Sequence, residues 1–165
     1  MNFKRALKHL CLPPWYRRQL FPAATLSAIE AAIREGEKRH GGELVFAIET
    51  ALDLGPLWRG LPARARAWEL FSQLRVWDTE ENNGVLIYLL LADRDVEIVT
   101  DRGAASRIGQ DQWEAVCRAM EKEFRAGRFE AGVLTGIRKV NELLATHFPG
   151  RSTERNELPD KPVIV

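Results

Sequence analysis

Between Trp77 and Gly103 the chain concentrates side chains that could do chemistry. Asp78, Glu80, Glu81, Asn82 and Asn83 crowd carboxylate and amide oxygens into one short loop, and Asp101 closes the apolar run that this loop introduces. Oxygen donors with no histidine or cysteine beside them suit hard cations such as calcium or magnesium. An ion held there by Asp78, Glu81, Asn82, Asn83 and Asp101 could in turn hold a phosphate or a partner's carboxylate. The plainer reading of the same residues is a turn, because Asn and Asp side chains bond nearby backbone and tolerate left-handed conformations. The spacing does not match an EF-hand.

Other reactive types are scattered. His9, His40 and His147 fall in three separate segments without metal-ligand spacing. Cys11 and Cys117 form no C-x-x-C pair, so they are expected to be buried, reduced thiols. Ser72 and Ser106 lack a nucleophile-elbow context, and the stretch from Gly103 to Gly109 has neither a GxGxxG nor a Walker lysine. Trp68, Trp77 and Trp113 lie on expected helices, where core packing is the ordinary use of an indole.

The elements that must position the acidic loop can be read from periodicity. "ELVFAIETAL" is a compact β-prone run, as for a strand covered on both faces, and "ARARAWELFSQLRVW" after Pro62 carries Ala67, Leu70, Phe71, Leu74 and Trp77 at helical steps. "VLIYLLLA" then completes a strand, helix, strand unit with parallel strands. Asp93-Arg94 separates it from "VEIVTD" by a gap short enough for an antiparallel hairpin. With Leu91 opposite Val96, Leu86 falls opposite Asp101 and Gly84 opposite Gly103, which returns Asp101 to the acidic loop.

Helices flank this sheet. Leu26, Ile29 and Ile33 make one stripe, with Ser27 and Glu30 at capping-box spacing and Gly41-Gly42 as a stop. Trp113, Val116, Met120 and Phe124 make a second, and Val133, Ile137, Val140 and Leu144 a third. The expected fold is α/β, a small mixed sheet built from a βαβ unit plus an antiparallel hairpin and sandwiched between helices. Residues 1–20 are expected to form a basic amphipathic helix, with Phe3, Leu7, Leu10 and Cys11 at helical spacing before Pro13-Pro14. Residues 21–148 are expected to form the domain. Residues 149–165 are expected to be an extended tail, either loosely ordered or anchored by Val163 to Val165.

Bulk properties narrow the function. A chain of 165 residues, 45% hydrophobic, is sized for one domain with a real core. Its formal net charge of +1 argues against a general nucleic-acid binder. His9, Pro13 and Pro14 interrupt any secretory h-region, and the apolar run Val85 to Ala92 is far short of the ~20 residues of a membrane span. A cytoplasmic protein is therefore expected. Membrane association, if any, would run through the basic start, where Lys4, Arg5, Lys8, Arg17 and Arg18 precede the first acid, Glu30.

The sequence resembles the TPM domain family. The resemblance rests on "NNGVLIYLLLADRDVEIVTDRG", the helix "AWELFSQLRVWDTE" and "SAIEAAIREGEKRHGGELVFAIE", and covers roughly Phe21 to Phe148. "WDTE" and the closing "HFPG" and "NELPD" are similar to a short bacterial subtype usually encoded beside a secreted paralogue and a membrane protein. The resemblance implies a small mixed sheet packed between helices. It also implies calcium or magnesium near the central loop, weak acid-phosphatase activity, or service as an assembly factor for membrane complexes. Carried over, the loop position falls on Asn82 and Asn83, and the return after the hairpin on Asp101, Arg102 and Gly103, with Asp111 near a later acidic position. Asn82 stands where many members have aspartate, and Asp101-Arg102-Gly103 where many have Gly-Tyr-Gly.

Three functions are consistent with these residues. The first is a non-catalytic binding module, docking on a membrane protein or paralogue with a divalent ion at the loop. The second is a weak metal-dependent phosphatase in which Arg102 neutralises transition-state charge. The third is a membrane-surface adaptor using the basic N-terminal helix, for which the plainer alternative is a helix packed on the core with solvated charges.

Overall fold

The computed structural model describes residues 3–13, 15–150 and 156–165. Four strands form one sheet: β1 (Glu43–Glu49), β2 (Gly84–Leu90), β3 (Asp95–Thr100) and β4 (Val163–Ile164), in the order β3-β2-β1-β4. β1 and β2 run parallel, joined through α5 (Ala63–Gln73), while β2 and β3 form the antiparallel hairpin. Every residue of β1 and β2 is buried, because helices cover both faces. Leu44, Phe46, Ile48, Val85, Ile87 and Leu89 point into one core, against Ile29 and Ile33 of α3 (Ala23–Glu37) and the stripes of α7 (Gln110–Arg125) and α8 (Phe129–His147). Val45, Ala47, Leu86, Tyr88 and Leu90 point into the other, against Ala67, Leu70 and Phe71 of α5. The expected α/β sandwich with a mixed sheet is thus the observed fold.

β3 is the open edge, and it is blunted. Arg64 donates to Ile98 O at 2.5 Å and to Glu97 Oε2 at 3.1 Å, occupying part of the free ladder. At the other edge, β4 pairs in parallel with Ala47 and Ile48, so the end of the tail anchors on the sheet. Residues 151–155 of the expected tail, and Met1, Asn2 and Pro14 of the expected N-terminal helix, lie outside the described residues.

Several expectations are corrected. Val96 pairs with Leu89, not Leu91, because the N–H groups of Leu91 and Ala92 donate to Glu49 O and Thr50 O and draw the chain towards β1. The turn then spans Leu91 to Arg94, with Arg94 at φ 55°. A slip of two residues keeps every side chain on its face, and Asp101 donates its N–H to Gly84 O at 2.9 Å. α3 begins at Ala23 after Pro22, a turn earlier than the Ser27 cap predicts. α5 ends before Trp77, which is half-exposed like Trp68, so neither indole packs in the core as Trp113 does. Cys11 is exposed rather than buried. Two short helices fall where loops were expected, α4 (Leu54–Trp58) and α6 (Arg102–Arg107), and the expected N-terminal helix of residues 1–20 is two, the second being α2 (Trp15–Leu20).

α1 (Phe3–Cys11) forms as its spacing predicts, but in the reverse orientation to a helix packed by its apolar stripe. His9 and Ala6 are buried against the body, while Phe3, Leu7 and Leu10 are exposed. His9 Nδ1 accepts the Leu52 N–H at 2.9 Å, and His9 Nε2 lies 3.1 Å from Asp93 Oδ1. Arg5 donates to Asp93 Oδ2 at 2.9 Å and to Leu61 O at 2.8 Å. Among the described residues no helix is long and apolar enough to cross a membrane.

Candidate functional site

The acidic loop is folded by its neutral residues. α5 ends at Leu74, Arg75 takes a left-handed φ of 55°, and the buried Val76 turns back to donate to Phe71 O. That return brings Val76 O directly over Gly84, where any Cβ would collide with it. Thr79, buried, then holds the turn: its Oγ1 accepts the Asn83 N–H at 3.1 Å and its carbonyl the Asn82 N–H at 3.2 Å. Asn82 adopts φ 54°, a left-handed conformation that asparagine tolerates better than most residues.

Asn82 O accepts the N–H of Gly103 at 2.9 Å. A Cβ on Gly103 would lie 2.8 Å from Glu81 O and closer still to Asn82 O, so only glycine permits the approach. Asp101 sits between these two contacts as the N-cap of α6, its Oδ1 accepting the Arg102 N–H at 2.7 Å. Arg102 Nε reaches Asn82 Oδ1 at 3.3 Å. Loop and return are therefore locked together, as the hairpin predicts, although by a register two residues away from the expected one.

Two oxygens in this arrangement are left over. Asn83 is buried and donates through Nδ2 to Gly41 O, but its Oδ1 has no partner. Asp101 Oδ2 is likewise buried without one. An unsatisfied buried acceptor costs about 1–3 kcal/mol, so the pair is the part of the loop that a ligand could most improve. The remaining acids are placed differently. Asp78, Glu80 and Glu81 are exposed, and the Glu80 N–H donates to Glu157 Oε2 of the tail. Asp111 is exposed in the first turn of α7, beside Gly109. Among the described residues no group of three or more His, Cys, Asp or Glu side chains is arranged to hold a metal ion. A cation at this loop would rest on Asp101 together with amide and carbonyl oxygens. That donor set fits a hard, oxygen-seeking ion and not a soft one.

The sequence reading missed the groups behind the loop. Gly84 lies between Asp101 on one side and Glu43 on the other, and Glu43 is buried at the start of β1. Burial pushes its carboxyl up to about 7, although it accepts the Leu158 N–H at 3.2 Å. Glu37 nearby is pushed up to about 9 by burial, against the opposing effect of the Leu44 N–H it accepts at 2.8 Å. His40 is buried, its Nε2 3.0 Å from Asn141 Oδ1 and its Nδ1 accepting the Gly42 N–H, and burial holds it below the ordinary histidine range. These residues carry Gly41, to which Asn83 is tied. The double glycine marks this segment in the sequence, but its spacing reads only as a helix stop.

The chain is similar to known proteins at two levels. The model of the TPM domain matches residues 17–143. Among solved structures, the BA42 protein from the psychrophilic bacterium Bizionia argentinensis is 30% identical, with a TM-score of 0.77 over 88% of this chain and 95% of that one. The N-terminal domain of a protein from P. gingivalis shares the fold at 20% identity, with a TM-score of 0.66 over 82% of this chain and 83% of that one. No curated protein matches the chain.

Proposed function

The chain belongs to the TPM domain family, and from that premise we propose that it is a non-catalytic binding module whose contact site is the loop and return around Asn83 and Asp101, steadied by calcium or magnesium. The observation that supports this reading is the pair of buried, partnerless oxygens, Asn83 Oδ1 and Asp101 Oδ2. Asp101 would supply the formal charge and Asn83 an amide oxygen. The bound ion would turn a site of spare acceptors into one that attracts a carboxylate. A carboxylate-bearing segment of a membrane protein or secreted paralogue suits such a site, with this chain acting from the cytoplasmic side.

A binding role is favoured over hydrolysis by what surrounds the loop. Thr79 Oγ1 accepts the Asn83 N–H at 3.1 Å and Ser106 donates to Gly103 O at 2.9 Å, so both hydroxyls are bonded to backbone, whereas a nucleophile is activated by an adjacent base. The test is a titration of the whole chain with calcium and with magnesium, following backbone amide shifts. Asn82, Asn83 and Asp101 are expected to shift saturably at about millimolar ion, and Asp101→Asn to abolish the response. Absence of a saturable shift in the wild-type chain would remove the cation from this reading.

A further inference from the structure

α1 carries its polarity inside out. At about 100° per residue, Phe3, Leu7, Leu10 and Cys11 share one arc, Lys4 and Lys8 follow it on one side, Ala6 borders it on the other, and Arg5 and His9 lie opposite. The polar side is the one docked on the body: Arg5 donates to Asp93 and Leu61 O, His9 Nδ1 accepts the Leu52 N–H, and His9 Nε2 lies 3.1 Å from Asp93 Oδ1. The apolar arc faces outward, with Phe3 73%, Leu7 52% and Leu10 59% exposed. α4 packs beside α1 and adds Leu54 and Trp58, the latter 73% exposed, while Trp15 of α2 is 60% exposed. A short helix that commits its polar groups to the protein and its apolar groups to solvent is positioned for something other than water.

The geometry points to an anionic lipid surface as the occupant of this stripe. Charge argues for it: Lys4, Lys8, Arg17 and Arg18, besides the docked Arg5, lie in residues 3–29, which contain no acid. Asp93, the carboxylate closest to the helix, is already engaged by Arg5 and His9. Asp53, at the start of α4, is the exposed acid beside the Leu54 and Trp58 pair. Lys4 and Lys8 run along one border of the apolar arc, so their alkyl stems can lie along it while the ammonium groups reach lipid phosphates. Trp15 and Trp58 are the residue type that settles at the boundary between headgroups and acyl chains. The stripe is short, so attachment is shallow and reversible. This inference is independent of the cation site, which lies at the other end of β2.

The experiment is co-sedimentation of the full chain with vesicles of phosphatidylcholine alone and of phosphatidylcholine with about one third phosphatidylserine. The wild-type chain is expected to sediment with the anionic vesicles only and to be released by salt. Leu7→Glu with Leu10→Glu is expected to weaken binding about tenfold or more. Lys4→Glu with Lys8→Glu is expected to do the same and provides a second route should the first pair fail to fold, with folding followed by circular dichroism. No sedimentation with anionic vesicles, or undiminished binding by a folded variant of either pair, would overturn the inference. So would self-association of the wild-type chain that Leu7→Glu abolishes without any vesicle binding, because the stripe would then belong to a second copy.

Discussion

At the scale of single residues, two glycines decide whether the candidate site exists. Gly84 and Gly103 have ordinary backbone angles, so the demand at each is for space: the carbonyls of Val76, Glu81 and Asn82 occupy the volume a side chain would need. Gly103→Ala is therefore expected to lower stability by about 1–3 kcal/mol in urea unfolding, because backbone must move. A second residue-scale expectation concerns Glu49, buried at the end of β1. Arg66 grips it with two bonds of 2.9 and 3.0 Å, and the Tyr88 hydroxyl donates to it at 2.5 Å. Burial pushes the Tyr88 hydroxyl well above its ordinary range, and the Glu49 bond holds Arg66 charged. Arg66→Ala leaves a buried carboxylate without its cation and should cost about 3–5 kcal/mol. Replacing Glu49, Arg66 and Tyr88 together with apolar residues of like volume should cost much less, and urea unfolding of both variants separates the two outcomes.

At the scale of elements, the C-terminal segment is tied to the sheet by groups that titrate. Leu158 donates to Glu43, Asp160 accepts from Arg34 and Asn156, and Glu157 receives the Glu80 N–H. Burial raises Glu43 to about 7 and Glu37 to about 9 from an ordinary 4.5. A carboxyl whose folded value is raised binds its proton more tightly in the folded chain. Its contribution is fully present below 4.5 and is lost as pH rises through the folded values. Stability should fall between pH 4.5 and about 9, and Glu37→Gln should flatten that slope, as thermal unfolding across the range would measure. The periodicity predicts the buried stripe of α7 residue by residue, and Val133, Ile137, Val140 and Leu144 of α8, though not the buried Phe129 and Asn141 beside them. It cannot find α4 or α6, helices of one or two turns whose existence depends on what they pack against. Nor can it say which way α1 faces. Amphipathic spacing gives the apolar arc, but the bond from Arg5 to Asp93 of the hairpin turn and the Leu52 N–H that His9 accepts choose the side that docks.

At the scale of the whole molecule, the order of β1, β2 and β3 was legible because a fully apolar pair joined by a helix and continued by a short turn admits few arrangements, whereas the edge place of β4 was not. The hairpin placed Asp101 beside the acidic loop for a sound reason, and the slip from Leu91 to Leu89 opposite Val96 came from the end of β1, where the carbonyls of Glu49 and Thr50 capture the turn. The candidate site was legible in part. Asn83 and Asp101 are the members with buried oxygens to spare, whereas Asp78 and Glu81 are exposed. Gly41 and Glu43 carry no local signature of their placement, since each acts through a partner distant in sequence.

The strand between these features sets a direction. β2 starts at Gly84, next to Asp101, and stops just before the turn whose Asp93 clasps α1. Its length, roughly 20 Å, separates the two ends. A copy resting on lipid through Leu7 and Leu10 would keep Asn83 and Asp101 at the far end of that strand from the helix it rests on, so that the two ends can be engaged separately.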